Sequence, residues 1–148
     1  MQNEPILILL ADDDENDRLL FTDAFQELKI KTIIHTVNDG LQLMAYLLKN
    51  KTKLPQLLFL DLNMPFKNGL DCLKEIRSNL DLREISVAIF STSLAQKDID
   101  ETFIQGANIY INKPNSFNDL KAVLNKAVMT AYMYQEPPFN KANFLLMI

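Results

Sequence analysis

Short runs of consecutive apolar residues alternate along this chain with longer stretches whose apolar positions recur at helical spacing. Runs such as Ile6-Leu7-Ile8-Leu9-Leu10, Leu57-Leu58-Phe59-Leu60, Val87-Ala88-Ile89-Phe90 and Ile109-Tyr110-Ile111 lack polar alternation, as strands covered on both faces require. The pattern predicts strands over about Pro5–Ala11, Thr32–Thr36, Gln56–Leu60, Val87–Phe90 and Asn108–Asn112. Helices are predicted over about Glu15–Leu28, from Asn38-Asp39-Gly40 to Lys49, over Leu70–Ser78 and Gln96–Gln105, and from a Ser116 cap to about Met133. On the first helix, Leu20, Ala24 and Leu28 repeat at four-residue spacing and are expected to face the core. Gly106 is a natural stop for the fourth, because glycine tolerates the left-handed conformation at a helix end. Strand and helix in alternation are the mark of βαβ units, so the predicted class is α/β with a parallel sheet of five strands and five helices.

Size and charge narrow the picture. A chain of 148 residues, 48% apolar and 23% charged, has room for one packed core and a tail and is not expected to be disordered. No apolar stretch approaches the roughly 20 residues that cross a bilayer. No basic region precedes the first hydrophobic run. The single cysteine, Cys72, has no internal disulfide partner. Together these point to a cytoplasmic protein without a membrane segment. The net charge of −4, with no cluster of Lys and Arg, argues against nucleic acid as a partner.

Candidate chemistry lies where the hydrophobic runs stop. Asp12 and Asp13 follow the first strand, Asp61 the third, and Lys113-Pro114 the fifth. The carboxyl ends of parallel strands converge on one crevice, so these residues are expected to meet. Three acids and an amine gathered there suit a hard cation and a phosphoryl group. Mg²⁺ takes oxygen ligands and keeps several waters; Asp13 and Asp61 are expected to bind it directly, Asp12 through water, and Asn63 by its carbonyl. A carboxylate also attacks phosphorus to give an acyl phosphate, and Asp61 is the expected nucleophile. Lys113 is expected to reach a phosphoryl oxygen, with Pro114 holding the preceding peptide cis so that the lysine points inward. Of the hydroxyls after strand four, Ser91 and Thr92, Ser91 is the favoured donor. Each piece alone has a plainer explanation; Asp14, for instance, is expected to cap a helix whatever its neighbours do. The conjunction at strand ends is what carries the reading. His35, Cys72, Met44 and Met129 are read as structural, the methionines as core filler.

This conjunction resembles the receiver domain of two-component response regulators, the CheY-like family. The resembling residues are Leu10-Ala11-Asp12-Asp13, Leu60-Asp61-Leu62-Asn63-Met64-Pro65 with Asn68-Gly69, Phe90-Ser91-Thr92-Ser93, and Tyr110-Ile111-Asn112-Lys113-Pro114, in the family's order over about Pro5 to Met133. The resemblance implies a flavodoxin-like, doubly wound sheet of order 2-1-3-4-5. It also implies Mg²⁺-dependent phosphoryl transfer to Asp61 from a sensor histidine kinase or phosphotransfer protein. A switch comes with it: Ser91 is drawn toward the phosphoryl group and Tyr110 follows, remodelling the face of helix four, strand five and helix five for a downstream partner. The Asp12-Asp13-Asp14 start and the Phe144-Leu145-Leu146-Met147 ending are similar to small stand-alone regulators of phytochrome-type kinases. Residues 1–133 are then a receiver domain and 134–148 a tail with no output domain. That apolar tail is expected to dock, against its own domain or as an arm crossing to a second subunit in a homodimer. A metal-dependent phosphatase of the haloacid dehalogenase type would need an acid where this chain has Asn63. An interaction module that signals without phosphorylation would not be expected to keep the full acidic set.

Overall fold

The computed structural model describes residues 4–133 and 144–146. In chain order the elements are β1 (Ile6–Ala11), α1 (Glu15–Glu27), β2 (Thr32–Val37), α2 (Gly40–Lys49), β3 (Leu57–Leu60), α3 (Gly69–Ser78), β4 (Ser86–Ser91), α4 (Gln96–Ile104), β5 (Ile109–Asn112), α5 (Phe117–Met133) and β6 (Leu145–Leu146). The parallel sheet runs β2-β1-β3-β4-β5, the order expected, and β6 extends it beyond β5. The expectation for the tail lies outside the described residues for 134–143 and 147–148. Among the described residues no helix is long and apolar enough to cross a membrane.

Helix starts follow from short polar side chains. Asp14, Asp39 and Asn68 each accept from the backbone N–H three residues on, and Ser116 does the same for Asp119. Such caps contribute about 1 kcal/mol apiece. Past the end of α4, Gly106 sits at φ +97°, where a β-carbon would be strained.

The strand side chains alternate between two cores. On one side Leu9, Leu58, Leu60, Val87, Ile89 and Tyr110 pack under α2, α3 and α4. On the other, Ile8, Leu10, Phe59, Ala88, Phe90 and Ile111 pack under α1 and α5. The buried face of α1 is Phe21, Ala24 and Phe25, not the Leu20-based stripe expected; Leu20 is 38% exposed. A shift of one position brings two aromatic rings into the core, where each buries more area than a leucine. Met44 is core filler as expected, whereas Met129 lies on the exposed side of α5. His35 is exposed on β2 beside Tyr46. Cys72 is fully buried, its thiol pushed up to about 12 by burial, which makes it inert.

Candidate functional site

The ends of β1, β3 and β5 bring Asp12, Asp13, Asp61 and Lys113 together. One carboxylate oxygen from each acid lies within 4.8 Å of the others. Asp12 and Asp61 are buried and Asp13 is exposed. The Lys113 ammonium stands 2.8 Å from Asp12 Oδ2, 2.8 Å from Asp17 Oδ2 and 3.3 Å from Asp61 Oδ2. It also lies over the Phe90 ring, 5.4 Å from its centre. Asp12 Oδ1 accepts from the Asp14 N–H and Asp61 Oδ1 from the Asn63 N–H. Asp12 Oδ2 is buried, and the Lys113 ammonium at 2.8 Å is the contact that holds it. That oxygen, with two neighbouring carboxylates converging on it, fits a hard cation that prefers oxygen ligands.

The loop after β3 is pressed into place by two glycines. A β-carbon at Gly69 would meet the Asp61 carbonyl oxygen at 2.1 Å, and one at Gly40 would meet the Lys67 carbonyl oxygen at 2.0 Å. Close backbone approach, rather than turn geometry, explains why glycine stands at both. Phe66, at φ 68°, is the centre of a tight turn closed by the Lys67 N–H donating to the Pro65 carbonyl.

Burial raises the Asp61 carboxyl from 3.8 to about 6, helped by the charge of Asp12 and opposed by Lys113. Burial acts against the charged form of Lys113 as well, but hydrogen bonds to Asp12 and Asp17 and the charge of Asp61 outweigh it and hold the amine above its ordinary value. A folded-state value above the unfolded one means that metal-free protein holds a proton which the unfolded chain releases between 3.8 and about 6. The stability contributed by this group is therefore greatest at low pH, falls through that window and is flat above it. After allowance for solvent screening the cost at neutral pH is about 1–2 kcal/mol. Asp61→Asn, which does not titrate, is expected to be more stable than wild type by that amount at pH 7.5 in EDTA and equal to it near pH 4. Urea unfolding across the range checks this; a difference independent of pH would refute it.

The sequence-predicted residues fall as follows. Asp12, Asp13, Asp61 and Lys113 are brought together. Ser91 is fully buried at the end of β4, its Oγ accepting from the Ser93 N–H. Tyr110 is fully buried on β5 and its hydroxyl donates to the Ser93 carbonyl at 2.8 Å. One expectation is corrected: no cis peptide occurs among the described residues, so the bond before Pro114 is trans. Lys113 points inward without it, because its N–H donates to the Ser91 carbonyl and three carboxylates hold its ammonium. Trans is in any case the preferred isomer before proline, by about 0.5–1 kcal/mol. Sequence reasoning missed Asp17 and Arg18. Asp17, in the first turn of α1, is a full partner of Lys113, and Arg18 Nη1 donates to the Asp12 carbonyl. The available signal was their place one turn past the acidic run, on the helix that opens beside it.

The family model described as the response regulator receiver domain matches residues 8–125. In sequence the chain is 35% identical over 125 residues to response regulator Rcp1 of Synechocystis sp., a match covering 80% of this chain and 83% of that protein. In fold it is similar to the phosphorylated cyanobacterial phytochrome response regulator RcpA, at 30% identity and a TM-score of 0.78 over 92% of this chain and 100% of that one. It is also similar to the Mn²⁺-bound form of Rcp1, at 28% identity and a TM-score of 0.75 over 92% and 99% of the two chains.

Proposed function

The chain belongs to the response regulator receiver domain family of two-component signalling, and on that premise we propose that Asp61 takes a phosphoryl group from a sensor histidine kinase or phosphotransfer protein. The observation that carries this reading is the buried Asp61 carboxylate, set beside Asp12 and Asp13 with the Lys113 ammonium 3.3 Å away. Asp61 attacks phosphorus through a carboxylate oxygen, and the histidine nitrogen of the donor leaves with the bonding pair. Lys113, already inside the site, turns from the carboxylate to a phosphoryl oxygen, and Asp12 and Asp17 keep it charged while it does so. Asp12, Asp13, Asp61 and the Asn63 carbonyl would hold Mg²⁺, which when bound neutralises charge on the phosphoryl oxygens.

The same residues promote phosphorylation and its hydrolysis, so the protein is a phosphoacceptor in cytoplasmic signalling rather than an enzyme with an external substrate. Ser91 donates to the phosphoryl group once it is in place, and Tyr110, which shares Ser93 with it, responds. The α4–β5–α5 face then signals to a downstream protein. Incubation with acetyl phosphate and Mg²⁺ is expected to add one phosphoryl group by intact mass, and the same incubation in EDTA none. Undiminished labelling in EDTA would overturn the metal requirement, and no labelling in either would overturn the acceptor role.

A further inference from the structure

Lys113 has more carboxylates around it than phosphoryl chemistry requires. Its ammonium has three hydrogens to donate, and three acids stand against it: Asp12 at 2.8 Å, Asp17 at 2.8 Å and Asp61 at 3.3 Å. Asp12 and Asp61 follow strand ends and face the crevice in any case; Asp17 does not. It lies in the first turn of α1, its N–H donating to Asp14 Oδ1 at 3.0 Å, so the cap that starts the helix also sets where this carboxylate begins. The next residue ties the same turn to the crevice, because Arg18 Nη1 donates to the Asp12 carbonyl at 2.9 Å. Glu15 offers the comparison. It belongs to the same turn and carries the same charge, yet among the described residues the acids paired with the ammonium are Asp12, Asp17 and Asp61. Compensation of the helix dipole would be met by either acid, and only Asp17 reaches the lysine.

We infer that Asp17 is a positioning residue that holds Lys113 toward α1 and divides its charge, so that the lysine grips a phosphoryl group on Asp61 less tightly than it would with Asp12 alone beside it. The inference rests on the phosphoacceptor reading of Asp61. When that carboxylate is esterified its charge passes to the phosphoryl oxygens, and the longest contact, at 3.3 Å, is the one the ammonium gives up. The two contacts at 2.8 Å remain. One hydrogen is then left for the phosphoryl group, and the cation facing it is already partly neutralised. Asp12 is fully buried, so releasing the lysine there would strand a charge away from water. The Asp17 side chain is 32% exposed, and water can take the place of the lysine. Asp17 is therefore the adjustable partner. It keeps Lys113 aimed before the reaction and sets how much of the lysine the phosphoryl group receives afterwards.

Calorimetric titration of the full chain in Mg²⁺ with BeF₃⁻, a non-covalent phosphoryl mimic, tests this, with Asp17→Ala and Glu15→Ala beside wild type. Asp17→Ala keeps the helix cap, which uses only the backbone N–H of that residue. It is expected to bind the mimic about fivefold more tightly, the factor a partly exposed ion pair can supply, and Glu15→Ala to stay within about twofold of wild type. The ¹H–¹⁵N signal of the Lys113 ammonium, read without metal or mimic, is expected to shift in Asp17→Ala and to hold still in Glu15→Ala. A carboxylate that served only the helix would leave that signal in place. Equal or weaker binding by Asp17→Ala overturns the division of charge while leaving the acceptor reading intact, and equal tightening by Glu15→Ala overturns it in favour of net charge. An unmoved ammonium signal in Asp17→Ala refutes the contact itself. Failure of wild type to bind the mimic refutes the acceptor reading of Asp61, and this inference with it.

Discussion

Asp61→Asn is expected to take up no phosphoryl group from acetyl phosphate and Mg²⁺, where wild type takes up one. The amide is nearly the same shape but lacks the nucleophilic oxygen charge, and loss of a nucleophile lowers such reactions by at least about a thousandfold. The fold is not at risk. Lys113 retains Asp12 and Asp17, each 2.8 Å from its ammonium, and the variant sheds a carboxylate whose burial raises its pKa to about 6. A stable but unlabelled variant therefore separates chemistry from structure. Intact mass spectrometry decides it: equal labelling of variant and wild type would move the acceptor to another residue, Asp12 or Asp13 being nearest.

Gly69→Ala is expected to damage both the fold and the site, although it adds only one methyl. Helix propensity alone would favour it, because alanine gains about 1 kcal/mol over glycine inside a helix. Position decides otherwise. The new carbon would stand 2.1 Å from the Asp61 carbonyl oxygen and 2.9 Å from Leu62 Cα. Both are backbone atoms that no rotamer change can move. Overpacking of this kind costs about 3 kcal/mol, several times the propensity gain. The strain falls on the peptide that presents Asp61, the proposed phosphoacceptor, so slower phosphoryl uptake is expected with the lower urea midpoint. A midpoint at or above that of wild type would show that the loop after β3 gives way freely.

Much of this was legible in the sequence because the two governing signals are local. Apolar runs without polar alternation mark four of the strands as buried on both faces, and all five predicted strands appear within a residue or two of their expected limits. Acids and a lysine where those runs end mark the crevice, and Asp12, Asp13, Asp61 and Lys113 meet there. What was not legible depends on tertiary contact. Asp17 lies 96 residues from the lysine it pairs with, and its place beside the acidic run hints at the site without naming that partner. The face of α1 was misjudged because Leu19, Leu20 and Phe21 are consecutive, so periodicity fits more than one register; the volume of the core selected Phe21 and Phe25. The two residues of β6 are too few to carry any period, and only the vacant edge of β5 explains their conformation. The peptide before Pro114 shows the opposite error, a special geometry invoked where ordinary contacts suffice.

The two sides of the sheet differ in aromatic packing, and this bears on which surface would report the proposed phosphorylation. Beneath α1 and α5, Phe21, Phe25, Phe59 and Phe90 pack edge-on or tilted, with ring centres 5.0 to 6.2 Å apart. Close packing of this kind resists deformation. On the proposed phosphoacceptor reading, displacement at the strand tips is expected to pass toward Tyr110 and α4, across the opposite layer. A protein that grips the α1 flank is then expected to meet one contour before and after the proposed reaction, while a protein that grips α4 meets two. On that reading, a partner that must distinguish the two forms is expected to bind on the α4 side of the sheet.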